Sequence, residues 1–87
     1  MTHELKTWPE YFEAIWDGRK NFEYRLNDRD YQVGDLLHLR EYDPHTSEYS
    51  GREIVRSVTY VLFPLFNTDP SLCCIMSLGP VGLGETK

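Results

Sequence analysis

GRKNFEYRLNDRDYQVGD, residues 18–35, is the stretch in which the chain changes period. Upstream of it Trp8, Phe12, Ile15 and Trp16 recur at helical spacing, while Glu10, Glu13 and Asp17 fall elsewhere on the wheel. The spacing predicts one amphipathic helix of about ten residues whose apolar stripe belongs to the core. Thr7 and Glu10 stand at capping-box distance, Pro9 fits a first turn, and Gly18 supplies a left-handed C-cap. From Phe22 the period drops to two. Phe22, Tyr24 and Leu26 fall on one face of a strand over 22–27, and Glu23, Arg25 and Asn27 on the other. Residues 27–30 are turn chemistry, and Gly34 provides a positive φ in a second turn that includes Asp35.

Working outward, 3–6 is short and mixed, 36–42 and 53–63 are rich in β formers, and 43–51, with Pro44, Ser50 and Gly51, reads as a polar hairpin loop between them. That pair is expected to be antiparallel. Pro64 to Pro70 breaks regular structure, 72–78 gives a last strand, and 79–87 thins into a flexible tail. The resulting β-α-β-β-β-β order predicts an α+β fold: a small, mostly antiparallel barrel or strongly curved sheet with its single helix covering one opening.

Eighty-seven residues close one core, so residues 1–87 are expected to form a single domain. Hydrophobic residues at 40%, aromatics at 14% and charges at 26% fit a folded chain whose aromatics supply much of that core. A net charge of -5 argues against strong duplex DNA binding and against anionic membrane, because both need many basic residues at once. Cys73 and Cys74 are adjacent and point to opposite faces of a strand, so they are expected as reduced thiols, at least one of them in the core. With no apolar leader or membrane span, a cytoplasmic protein is expected. His3, His38 and His45 lie at no metal-ligand spacing, His38 is expected on a strand surface, and no motif asks for a cofactor.

The basic residues Arg19, Lys20, Arg25 and Arg29 are interleaved with Glu23, Asp28 and Asp30. Strand rise sets Glu23 and Arg25 about 7 Å apart on one face. There a carboxylate that accepts from a base edge stands beside a planar guanidinium that donates to a carbonyl or phosphate, with Lys20 as a mobile charge. The competing reading is a solvated ion-pair face. Asp28, Arg29 and Asp30 are assigned to the turn. Trp8 and Trp16 are assigned to the core, and of Tyr31, Tyr42 and Tyr49, near turns or strand ends, Tyr42 is chosen for the cleft.

HELK at 3–6, GRKNFEYR at 18–25, NDRDYQVGD at 27–35, LREY at 39–42, YSGR at 49–52 and IMSL at 75–78 together resemble small bacterial and phage proteins of the ASCH group, in the PUA-like superfamily. The group's G-x-K-x-x-E-x-R pattern is matched by Gly18, Lys20, Glu23 and Arg25. The resemblance implies a PUA-like β-barrel with a cleft beside the helix, lined by the motif, in a superfamily that binds RNA or modified bases. It also adds His3 and Lys6 to the candidate ligand-binding set of Lys20, Glu23, Arg25 and Tyr42.

The function expected from this is noncatalytic recognition of single-stranded RNA or a nucleotide. Some ASCH relatives hydrolyse N4-acetylcytidine with a motif Lys, a Thr three residues later and a distant acid. Lys20 matches the first, but Glu23 stands at the Thr position and the chain is too short between its last strands for the insert that carries the acid. A modified-nucleoside hydrolase, with Lys20 and Glu23 moving the proton, is therefore the alternative. A protein-interaction adaptor using an apolar patch is the third.

Overall fold

The described residues form β1 (Thr2–Thr7), α1 (Pro9–Trp16), β2 (Phe22–Arg25), β3 (Leu36–Asp43), β4 (Glu48–Leu62) and β5 (Cys74–Val81). The structure is a computed structural model that describes residues 1–63 and 73–81. The expected order of elements is present. The strands make one sheet, β1-β3-β4-β5-β2, in which β1 runs parallel to β3 and the other neighbours are antiparallel. A parallel pair needs a crossover, and here α1 and β2 lie within it.

The two edge strands approach each other as the sheet curls into a half-barrel. Arg25 on β2 donates through Nη2 to the Lys6 carbonyl (2.8 Å) and Thr7 Oγ1 (3.3 Å) of β1, and Arg29 Nη1 reaches the Glu4 carbonyl (3.1 Å). Guanidinium groups thus satisfy two carbonyls, two residues apart, on an edge that would otherwise invite another strand. No β1–β2 ladder forms among the described residues. The seam is closed by side chains.

Leu5, Leu37, Leu39, Val58, Cys74, Met76 and Leu78 fill the interior, and α1 adds Phe12 and Ile15, both essentially fully buried. Each of these two helix anchors contributes roughly 1.5–3 kcal/mol by burial. Arg52 pins the helix to the sheet: it donates to Glu41 Oε1 (3.0 Å) on β3 and to Glu13 Oε1 (2.8 Å) on α1, with its guanidinium near the Phe12 and Trp16 rings. The Arg52 hydrogen bonds hold the Glu41 carboxyl below its ordinary range against the opposing effect of burial.

Several expectations need correction. Trp8 and Trp16 are about half exposed, and among the described residues only Phe12 and Tyr31 are buried aromatics, so the core is chiefly aliphatic. An eight-residue helix has room for one buried stripe, and Phe12 and Ile15 occupy it. No capping box forms. Trp8 is the N-cap, with no side-chain cap bond, because Thr7 remains in β1, paired with Glu41, with its side chain turned inward. β2 stops at Arg25 rather than Asn27, and β4 begins at Glu48, so the hairpin loop is shorter than 43–51. Gly51, at φ 99, sits where the register shifts between Arg40↔Glu53 and Tyr42↔Tyr49. The β3–β4 pair is antiparallel as expected, and His38 lies partly exposed on it against Glu53. β5 continues past Leu78 to Val81, and a Cβ on Gly79 would come within 2.6 Å of Ser57 Oγ and Thr59 Cγ2. The expected break at 64–70, the start of the last strand at Leu72 and the tail beyond 81 lie outside the described residues. Cys74 is a fully buried thiol, and Cys73 Sγ lies 3.6 Å from the Tyr24 hydroxyl. No helix among the described residues is long and apolar enough to cross a membrane.

Asp35 is more than a turn former. Its buried carboxylate meets His3 Nε2 (2.8 Å), the Gln32 backbone N–H (3.0 Å) and the N-terminal ammonium (3.3 Å). Burial pushes this carboxyl up, but His3, Gln32 and the ammonium outweigh burial and leave it below its ordinary 3.8. A carboxyl depressed on folding stabilises the fold fully above its unfolded value, and that stabilisation is lost as pH falls from about 3.8 through the folded value. Asp35→Asn is therefore expected to cost about 1–3 kcal/mol at pH 7. It should also flatten the acid limb of a urea-denaturation series below pH 4. An unchanged limb would show that other carboxyls set it.

Candidate binding site

The seam between β1 and β2 opens into a cavity of about 560 Å³. Three pieces of chain build it. The end of β1 brings Lys6 and Thr7, the start of α1 brings Trp8 and Tyr11, and the turn into β2 brings Lys20 and residues 22–25. Gly18, at φ 87, lets the chain reverse after the helix, and the Lys20 N–H bonds back to the Ala14 carbonyl (2.9 Å), which holds Lys20 beside the strand it precedes.

At its floor is Glu23, only 3% exposed. Lys20 Nζ donates to Glu23 Oε1 and Arg25 Nε to Glu23 Oε2, each at 2.7 Å. Both oxygens of the carboxylate therefore carry a charge-assisted bond, which makes the trio more rigid than a surface ion pair. Lys20 gives a second hydrogen to the Phe22 carbonyl (2.8 Å), leaving one of its three donors without a hydrogen bond among the described residues. Arg25 spends Nε and Nη2 on Glu23 and β1, and its Nη1 hydrogens make no bond within the described residues. Lys6, Lys20 and Arg25 line the cavity, and two of them, Lys20 and Arg25, hold its carboxylate between them. In a chain of net charge -5 this is a local positive site.

Its walls are aromatic. Trp8 and Tyr11 are stacked with ring centroids 6.3 Å apart, and Lys20 Nζ lies 4.8 Å from the Phe22 ring centroid. Phe22 and Tyr24 are largely exposed, the latter at 62%. The alternation along β2 places its charged residues inward and its aromatic residues outward. The strand lies at the sheet's edge, where its inner face meets Lys20 and the carbonyls of β1 rather than the aliphatic core.

The residues expected at a site divide as follows. Lys20, Glu23, Arg25 and Lys6 are brought together here. His3 does not line the cavity: it is buried with Asp35 and edge-on to the Tyr31 ring. Inward alternation along β1 carries it to the opposite end of that strand from Thr7. Tyr42 also stands off the cavity, packed edge-on to Tyr49, although Lys6 Nζ lies 4.5 Å from its ring centroid and links it to the rim. Asp28 and Asp30 stay in the turn, where Gln32 Nε2 bonds Asp30 Oδ1 (3.1 Å). Thr7, Trp8, Tyr11, Phe22 and Tyr24 are the lining residues that sequence reasoning missed. The signal for four of them is the aromatic pair at 8 and 11, at the start of the helix, and the aromatics at 22 and 24 that alternate with the motif's Glu23 and Arg25.

Residues 2–78 match the sequence profile of the family described as Domain of unknown function (DUF3850). The chain is also similar to the "Uncharacterized 12.9 kDa protein in GpA 3'region" of Escherichia phage P2, at 36% identity over 59 residues, 68% of this chain and 52% of that protein. The chain thus spans about half the length of the curated relative it matches. The profile takes in both edges of the seam and every residue lining the cavity, and on that match the chain belongs to the Domain of unknown function (DUF3850) family.

Proposed function

We propose that this protein is a binding module for a nucleotide or a short single-stranded RNA segment, seated in the cleft between β1 and β2, within a fold of the PUA-like, ASCH type. The observation that carries this reading is the pairing of unspent cationic donors on Lys20 and Arg25 with exposed rings on the same cavity. A phosphate takes the donors and a base takes the rings, and stacking on an aromatic face contributes roughly 1–3 kcal/mol per base. The curled sheet under a single helix and the Lys20, Glu23 and Arg25 of the G-x-K-x-x-E-x-R pattern lining the cleft support the ASCH assignment. A soluble protein acting in the cytoplasm fits this role.

The doubly bonded Glu23 favours binding over hydrolysis. With one oxygen on Lys20 and the other on Arg25, the carboxylate orders its neighbours rather than activating a water.

The test uses the Trp16→Phe variant, which leaves Trp8 on the cleft wall as the reporter. Adenosine monophosphate is expected to quench its fluorescence saturably. With three cations available, the slope of log affinity on log salt should be no steeper than about -2. Absence of saturable quenching, or release of a deacylated product from N4-acetylcytidine, would overturn the proposal.

A further inference from the structure

The outward face of β2, β5 and β4 is built like a second aromatic surface, and nothing within the described residues covers it. Register places Phe22, Ser77 and Tyr60 in one row across the three strands and Tyr24, Ile75 and Leu62 in the next. Residues opposite one another in antiparallel strands share a face, so these side chains are contiguous. Tyr60 is 61% exposed, and Phe22, Tyr24 and Leu62 are also open to solvent. Scattered apolar residues on a surface are ordinary, but a patch spread across three neighbouring strands is a mark of interaction.

We propose that this face is a stacking platform for further bases of a single-stranded nucleic acid whose first nucleotide occupies the cleft, an inference that rests on the nucleotide reading above. Continuity is the first argument. Phe22 and Tyr24 belong to both surfaces, so a chain leaving the cleft over β2 meets the platform at once. Charge is the second. No Asp or Glu occurs at 54–63 or 73–81, and the carboxylate of β2, Glu23, points inward between two cations. Among the described residues, a chain of net charge -5 thus places no carboxylate in these two rows, while Lys20 and Arg25 line the adjoining cleft. The third is chemical type. The platform offers three rings, with hydroxyls between them: Thr59 Oγ1 and Ser77 Oγ are bonded to each other at 2.7 Å beside Tyr60 and Phe22. Rings spaced by strands suit flat bases, and hydroxyls suit base edges. Phe22 and Tyr60, two strand spacings apart, stand about 10 Å from each other across the row.

The experiment compares adenosine monophosphate with the hexanucleotide A6 RNA, each titrated into the Trp16→Phe protein with and without Tyr60→Ala. Tyr60 lies outside the cavity and is exposed, so monophosphate affinity is expected to stay unchanged. A6 affinity is expected to fall roughly tenfold. Equal A6 binding by both proteins would overturn the platform and leave the cleft standing. Monophosphate silence with Tyr60-dependent A6 binding would keep the platform and remove the cleft, and silence of both probes would remove the two together. A free protein that sediments as a dimer and becomes monomeric on Tyr60→Ala would assign the face to a second copy and overturn the proposal.

Discussion

Glu23→Ala is expected to destabilise the protein by about 3 kcal/mol, because it leaves two cations facing each other with nothing between them. Lys20 Nζ and Arg25 Nε each lie 2.7 Å from an oxygen of that one carboxylate. Its removal exposes them to mutual repulsion on the inner side of the sheet, and the Arg25 guanidinium is then no longer held toward Lys6 and Thr7. For a domain of this size the loss corresponds to a drop of about 15 °C in thermal midpoint. The double variant Lys20→Met/Glu23→Ala is expected to recover part of the loss, since only one cation then lacks its partner. If the single variant melted within a degree or two of the parent, the trio would be an ornament of the surface and the seam would be held by something else.

The second large effect is on binding. Lys20→Ala removes a cleft-lining ammonium with one donor beyond the two used among the described residues, and a hydrogen bond to a charged group contributes roughly 1.5–3 kcal/mol. Affinity for adenosine monophosphate is expected to fall about 10- to 100-fold, with the salt slope becoming shallower by about one counterion. Arg19→Ala is the control. Arg19 is next in sequence but pairs with Asp17 on the exposed side of the helix end, at 2.9 Å, and does not line the cavity. Equal losses from the two variants would point to a diffuse charge effect instead of a built site.

Much of this arrangement is legible in the residues themselves. The two-residue period from Phe22 does separate Glu23 and Arg25 from Phe22 and Tyr24, and Gly18 does end the helix at a positive φ. Alternation, however, gives two faces without saying which is interior. The usual guide, apolar inward, would have turned β2 over. What decides its orientation is the β1 edge, whose carbonyls and Thr7 hydroxyl receive Arg25 across a seam that exists only after the sheet has curled. The same long-range geometry explains Trp8, which helical spacing assigns to the core but which lies at the N-cap, over the cavity instead of over Leu37 and Leu39. It also explains His3. Its place in the HELK stretch suggested the cleft, yet inward alternation on β1 buries it against Asp35. The parallel pairing of β1 with β3 carries no local signature, because it depends on where the crossover returns the chain.

The most direct test of the binding cleft is an amide-shift titration of the isotopically labelled protein with adenosine monophosphate. Movement is expected to concentrate at Thr7, Trp8, Tyr11, Lys20 and Glu23, which converge on one hollow from three separate parts of the chain. Silence of these amides at millimolar ligand, or shifts centred on the β3–β4 hairpin instead, would contradict it.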